Sequence, residues 1–250
     1  MRITICGSGT GLPDPERGSP CVFVRVADSK VVVDLGPGAL RQLARIGVTC
    51  RDIDRILLTH WHVDHINDLA PLIFASRYGP QPRQKDLSVI APRGFNVFWS
   101  RLVALYGDQI SPKFYSITLS EMLDSMMDFG RWRLLAKPVE HVLTTVCYRM
   151  EADGKAFTYT GDTDYCENLV ALARDADLLV VECAFPEDAR VTGHMTPSRV
   201  ARLIREARPK QTLLVHVYPV LGPERAVAEV KSLVPEADVA AAEDLMVLEI

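Results

Sequence analysis

Thr59-His60-Trp61-His62-Val63-Asp64-His65 places four metal-capable side chains within six residues, directly after the apolar run Ile56-Leu57-Leu58. The pattern is His-x-His-x-Asp-His. In an extended segment, residues 60 and 62 project from the same side, so their imidazoles can bite one metal together. Asp64 and His65 follow where the chain begins to turn, and they point elsewhere. One ion can take all four groups, but the turn makes two neighbouring ions the more natural arrangement. Imidazole and carboxylate suit zinc, with manganese and iron also acceptable. Such a strand end supplies half of a site. The other half must come from elsewhere in the chain.

The 250 residues are enough for one large domain and a substantial core. With no repeats, low-complexity tract or evident linker, residues 1–250 read as a single domain. Hydrophobic content of 48% and charged content of 24% are ordinary for a soluble protein. A net charge of −4 and a pI near 5.9 give no general pull toward nucleic acid or an anionic membrane. No apolar run reaches membrane-spanning length, and Met1-Arg2-Ile3-Thr4-Ile5 reads as a strand, not a signal peptide. The six cysteines are scattered, with no Cys-x-x-Cys. They read as reduced thiols, several of them buried, in a cytoplasmic protein.

Residues 2–6 alternate as a strand. Gly7-Ser8-Gly9-Thr10-Gly11 follows, but Pro13 and Pro15 leave no helix start to receive a phosphate, so it reads as a flexible loop near a site. Residues 21–27 and 30–35 form a hairpin, and Val31-Val32-Val33 suits a strand covered on both faces. Asp34-Leu35-Gly36-Pro37-Gly38 is a turn into a helix over 39–46, stopped by Gly47. After His65, Pro71 sits in the first turn of a helix ending before Gly79-Pro80. Residues 87–91 are a strand, and Pro92 opens a helix to about Tyr106. Residues 112–139 mix short strands with a helical turn around 120–128, and 132–136 is a strand. Arg83-Gln84-Lys85 and Arg131-Trp132-Arg133 read as small solvated basic patches. Residues 146–150 and 156–160 form a hairpin around Asp153-Gly154. It runs into Asp162 and Asp164, of which Asp164 better fits a turn or cap role. Residues 178–183 form a buried strand ending near Glu182. Thr196 caps a helix with Pro197 at its first position. Residues 212–215 are a strand before His216, Pro223 opens a last helix, and 245–250 close the chain as a strand.

The six histidines are His60, His62, His65, His141, His194 and His216. Each lies where a strand ends or a helix begins. Open sheets gather ligands at the carboxyl ends of their strands, so this placement points to one shared site. The series His60-x-His62-x-Asp64-His65, His141, Asp162, His216 is similar to the ligand series of the metallo-β-lactamase superfamily, and the likeness runs over essentially the whole chain. It implies an α/β fold, a four-layer αββα sandwich with metals at one edge of the paired sheets. It implies two divalent ions, zinc first and manganese or iron as alternatives. By resemblance His60, His62 and His141 hold one metal, Asp64, His65 and His216 the second, and Asp162 bridges them.

Exported β-lactamases of this fold typically carry cysteine where this chain has Asp162. Glyoxalase II adds a helical region for which there is no room here. Flavodiiron proteins usually replace the second motif histidine, but His62 is present. His194-Met195-Thr196, preceded by Glu182, resembles the His-x-Thr element of the ribonuclease Z-like phosphodiesterase branch, whose histidine serves the scissile phosphate. The long basic arm with which ribonuclease Z grips tRNA falls between the fifth histidine and the bridging aspartate. Here a short hairpin joins His141 to Asp162. RNA is therefore not favoured as substrate. The resemblance implies a phosphodiesterase acting on a small or nucleotide-like diester through a metal-activated hydroxide, with ribonuclease Z, a lactonase or a thioesterase as alternatives. A single-iron oxygenase or a metal-binding accessory protein is the non-hydrolytic reading. Asp64 is placed to accept the water's proton. His194, oriented by Glu182, is placed to hydrogen-bond the phosphoryl oxygen or protonate the leaving group. Relatives are often dimers, so a homodimer is implied; no membrane partner is.

Overall fold

The computed structural model describes residues 1–78, 81–142 and 144–250. The first part of the chain gives β1 (Arg2–Gly7), β2 (Cys21–Val26), β3 (Ser29–Val33), α1 (Ala39–Arg45), β4 (Arg55–Leu57), α2 (Val63–Ile66) and α3 (Leu69–Arg77), then β5 (Leu87–Pro92), α4 (Phe95–Tyr106) and β6 (Ile117–Met122). The second part gives β7 (Ser125–Asp128), β8 (Arg133–Pro138), β9 (Val146–Ala152), β10 (Lys155–Tyr159), α5 (Glu167–Ala173) and β11 (Leu178–Glu182), then α6 (Pro197–Ala207), β12 (Gln211–Val215), α7 (Pro223–Leu233), β13 (Val239–Ala241) and β14 (Val247–Glu249). Gly79 and Pro80, expected to end α3, lie outside the described residues.

Two seven-stranded sheets result, ordered β14-β1-β2-β3-β4-β5-β6 and β13-β12-β11-β10-β9-β8-β7. Side-chain alternation along each strand sorts apolar residues into layers. Val31 and Val33 face a core shared between the sheets with Leu134, Tyr148, Phe157 and Val180. Val32, one residue out of phase, faces Leu43, Leu72 and Phe95 of the helices outside the first sheet. Leu179 and Val181 do the same toward α5, α6 and α7 outside the second. The order is helices, sheet, sheet, helices: the expected αββα sandwich.

Strand direction decides where the site forms. β3 runs parallel to β4, and β10 runs parallel to β11, which runs parallel to β12. β8 is antiparallel to β9, which is antiparallel to β10, so β8 and β10 point the same way. The carboxyl ends of β8, β10, β11 and β12 therefore share one edge of the second sheet, as those of β3 and β4 do in the first.

Several local expectations give way. Residues 120–128 hold no helical turn. β6 pairs with β5, placing Glu121 opposite Ala91; β7 pairs with β8; and the chain crosses between sheets at Leu123 and Asp124. Edge pairing wins over a spacing that looked helical. Pro92 ends β5, and α4 starts after Gly94, whose φ of 100° is a conformation that favours glycine. The short edge strand β13 carries only Val-Ala-Ala and went unanticipated. The α6 cap is not the Thr196 hydroxyl, since Glu187 Oε1 accepts from Ser198 N at 2.9 Å. Arg83 is wholly buried, not solvated. Its guanidinium donates to the carbonyls of Cys50, Ile53, Lys85 and Asp86. Among the described residues, no helix is long and apolar enough to cross a membrane.

Candidate metal centre

Every expected site residue arrives at that shared edge. His60 follows β4, His62 precedes α2, and Asp64 and His65 lie on α2. His141 follows β8, Asp162 follows β10, Glu182 ends β11, His194 precedes α6 and His216 follows β12. Gly161 makes the last step to Asp162 possible: its φ is 58°, and a Cβ there would lie 2.7 Å from Thr59. Only glycine fits such an approach at that dihedral. His216 adopts a φ of 54°, a conformation a bulky residue rarely takes. Its N–H donates to Ser8 O at 3.0 Å, which ties the glycine-rich loop to the site.

The ligand atoms fall into two groups that share one carboxylate. His60, His62, His141 and Asp162 form the first, and Asp64, His65, Asp162 and His216 the second, each with its atoms within 4.8 Å of one another. Within the first, His141 Nε2 lies 3.2 Å from His62 Nδ1. Asp162 Oδ2 is 4.0 Å from His60 Nε2 and 3.6 Å from His216 Nε2. His65 Nε2 is 3.3 Å from Asp162 Oδ1 without alignment for a hydrogen bond.

The residues fit a metal. Buried His60 Nε2 and His65 Nε2 have no hydrogen-bond partner, a state native proteins avoid unless something else satisfies the atom. Their other nitrogens are held from behind: His60 Nδ1 by Thr59 Oγ1 at 3.0 Å and His65 Nδ1 by Asp34 Oδ2 at 2.8 Å. His141 Nδ1 lies 2.9 Å from Gly193 O. Backing partners of this kind orient metal-binding imidazoles. Burial, reinforced by His65, holds His60 well below the usual imidazole range, and burial also lowers His141. Both rings are thus kept in the neutral, metal-binding form. Burial alone would lower His65, but Asp162 and Asp34 outweigh it and hold its pKa well above the ordinary value. Asp162 is held well below the carboxylate range because His216 and His65 overcome its burial.

Asp34 was missed by sequence reasoning. It is buried. It accepts from Thr59 N at 2.8 Å, from Thr59 Oγ1, from His65 Nδ1 and from the Tyr159 hydroxyl at 3.2 Å. The available signal was its position, an acid directly after an apolar strand, like the other site residues. Asp164 takes the structural role expected of it, accepting from Tyr165 N and pairing with Arg190 and Arg199.

A third group, Glu182, His194 and His216, also lies within 4.8 Å. Glu182 is already occupied. Oε1 accepts from Thr163 N at 2.6 Å, Oε2 from Met195 N at 3.2 Å, and His194 Nδ1 lies 3.0 Å from Oε1. The geometry is that of a carboxylate orienting an imidazole, not of a further ion position.

Residues 29–217 match the model of the beta-lactamase superfamily domain. The chain belongs to this superfamily. Among metallo-β-lactamase superfamily relatives, ribonuclease Z of Mycobacterium marinum is 30% identical, over 72% of this chain and 69% of its own. Ribonuclease Z of Archaeoglobus fulgidus is 26% identical, over 87% of each chain. The crystal structure of the metallo-beta-lactamase fold protein YhfI from Bacillus subtilis superposes with a TM-score of 0.88 at 24% identity, over 100% of this chain and 99% of its own. The chain is thus a metallo-hydrolase of that superfamily with ribonuclease Z-like relatives and His/Asp clusters able to hold metal.

Proposed function

We propose that this chain is a metal-dependent phosphodiesterase acting on a small or nucleotide-like diester. The observation that carries the reading is the His194–Glu182 pair set beside two ligand groups that share Asp162. His60, His62 and His141 would hold one divalent ion, Asp64, His65 and His216 the other, and Asp162 both; imidazole and carboxylate donors favour zinc. When bound, such a pair supplies a water of lowered pKa and neutralises charge on the phosphoryl oxygens.

The chain's own groups supply the rest. Burial raises Asp64, but His216 and His65 outweigh it, so Asp64 stays ionised and accepts the proton of the attacking water. Burial lowers His194, but its hydrogen bond to Glu182 and that carboxylate's charge prevail and raise its pKa. That direction favours the protonated ring. With Nδ1–H donated to Glu182, it presents Nε2–H to the phosphoryl or leaving-group oxygen.

His194→Ala should leave the metal content unchanged and lower cleavage of bis(p-nitrophenyl) phosphate by on the order of 10²-fold or more. Equal rates in variant and parent would remove His194 from the mechanism. The relatives named ribonuclease Z favour RNA cleavage as a second reading. Assay of metal-loaded protein on tRNA precursors, lactones and thioesters beside phosphodiesters separates these. The six free cysteines, four of them buried, suit the reducing cytoplasm.

A further inference from the structure

Phe185 follows β11 and Tyr218 follows β12, and neither takes part in the chemistry above. Their rings stack at 4.6 Å between centroids with 18° between planes. Phe185 stands edge-on to His194 at 5.5 Å, and Tyr218 stands edge-on to His216 at 5.4 Å. His194 and His216 lie parallel at 5.8 Å and close the square. Backbone bonds anchor each residue: Tyr218 N donates to the carbonyl of Ala184, the neighbour of Phe185, at 3.1 Å, and Phe185 N donates to Met195 O at 3.4 Å. Both rings remain partly open to solvent. A fixed, half-wet aromatic pair at the rim of a polar site is a surface on which a planar ring can stack.

We propose that Phe185 and Tyr218 form a stacking wall that selects phosphate esters carrying a planar aromatic ring, a nucleobase or an aryl group, on the side of His194. The inference rests on the phosphodiesterase reading. If His194 meets the leaving-group oxygen, the atoms beyond that oxygen pass along the ring 5.5 Å away. Stacking suits any flat ring and demands no particular base.

The test is calorimetric titration of the zinc-loaded protein with adenosine 5′-monophosphate, phenyl phosphate and ribose 5-phosphate, which share the phosphate and differ in the ring. Stacking of one base predicts that adenosine 5′-monophosphate binds about tenfold tighter than ribose 5-phosphate. Phe185→Leu and Tyr218→Leu should each erase most of that preference and leave ribose 5-phosphate within about twofold. Tyr218→Phe and Phe185→Tyr keep the rings and should bind as the parent does. A melting curve on each variant separates lost stacking from lost fold. Phenyl phosphate binding as tightly as the nucleotide identifies a simple aryl group; weaker binding identifies a nucleobase. Equal affinity of the parent for nucleotide and ribose phosphate overturns the wall. So does equal weakening of all three ligands in the leucine variants, which would make the rings mere supports for the histidines. A parent that prefers the ring but cleaves no phosphodiester would refute the proposed reaction and leave the wall standing.

Discussion

Asp34 touches no reacting atom in the proposed chemistry, yet it fixes His65 through Nδ1 and holds Thr59, whose hydroxyl in turn reaches His60 Nδ1. One carboxylate thus steadies an imidazole in each ligand group. Asp34→Ala should lower metal affinity about 10–100-fold, measured by competition with a chromogenic chelator on folded protein. Unchanged affinity would show that packing alone holds His65. The candidate ligands stood out in the sequence because four fall in one short run and the rest punctuate strand ends, and the fold brings them together. Asp34 was not legible, because a lone acid before Gly36-Pro37 looks like any turn residue. Phe185 and Tyr218 were not legible either: they are distant in sequence and meet only when β11 and β12 pair.

Elements with strong periodicity were read correctly, and those fixed by long-range pairing were not. Val31-Val32-Val33 divides between two cores, as a strand covered on both faces should. β6 and β7 depend on which neighbour accepts their edges, and nothing within residues 117–128 encodes that. Arg83 is the sharpest case. In sequence it sits in a polar loop, but the folded loop closes over it, and its guanidinium gathers carbonyls from Cys50 and Ile53 together with its own loop. It thereby ties the approach to β4, the strand that delivers His60, to the approach to β5. Arg83→Met leaves those carbonyls unpaired in a buried place, and should cost about 3–5 kcal/mol in urea unfolding. A cost below about 1 kcal/mol would mean that water satisfies them.

At the scale of the molecule, the two sheets share one core, and we propose that residues 1–250 unfold as one domain in a single transition. Acid should weaken that transition through Asp177, which lines an open cleft of about 740 Å³ at the strand ends remote from the histidines. Burial raises this carboxyl, but bonds from Lys210, Ala156 N and Lys155 overcome it and bring it down to about 2. A depressed folded value means that its contribution is complete above the unfolded value near 4 and fades as pH falls toward 2. Asp177→Asn should therefore cost about 1–2 kcal/mol at pH 7 and flatten the loss of stability between pH 4 and 2. An unaltered acid limb would contradict this.

Both ligand groups borrow the same carboxylate, Asp162, from the end of β10. Metal content per chain, taken by elemental analysis after saturation with zinc and removal of the excess, tests that convergence directly. Two ions per chain in the parent is the predicted result, and one ion or none would contradict it.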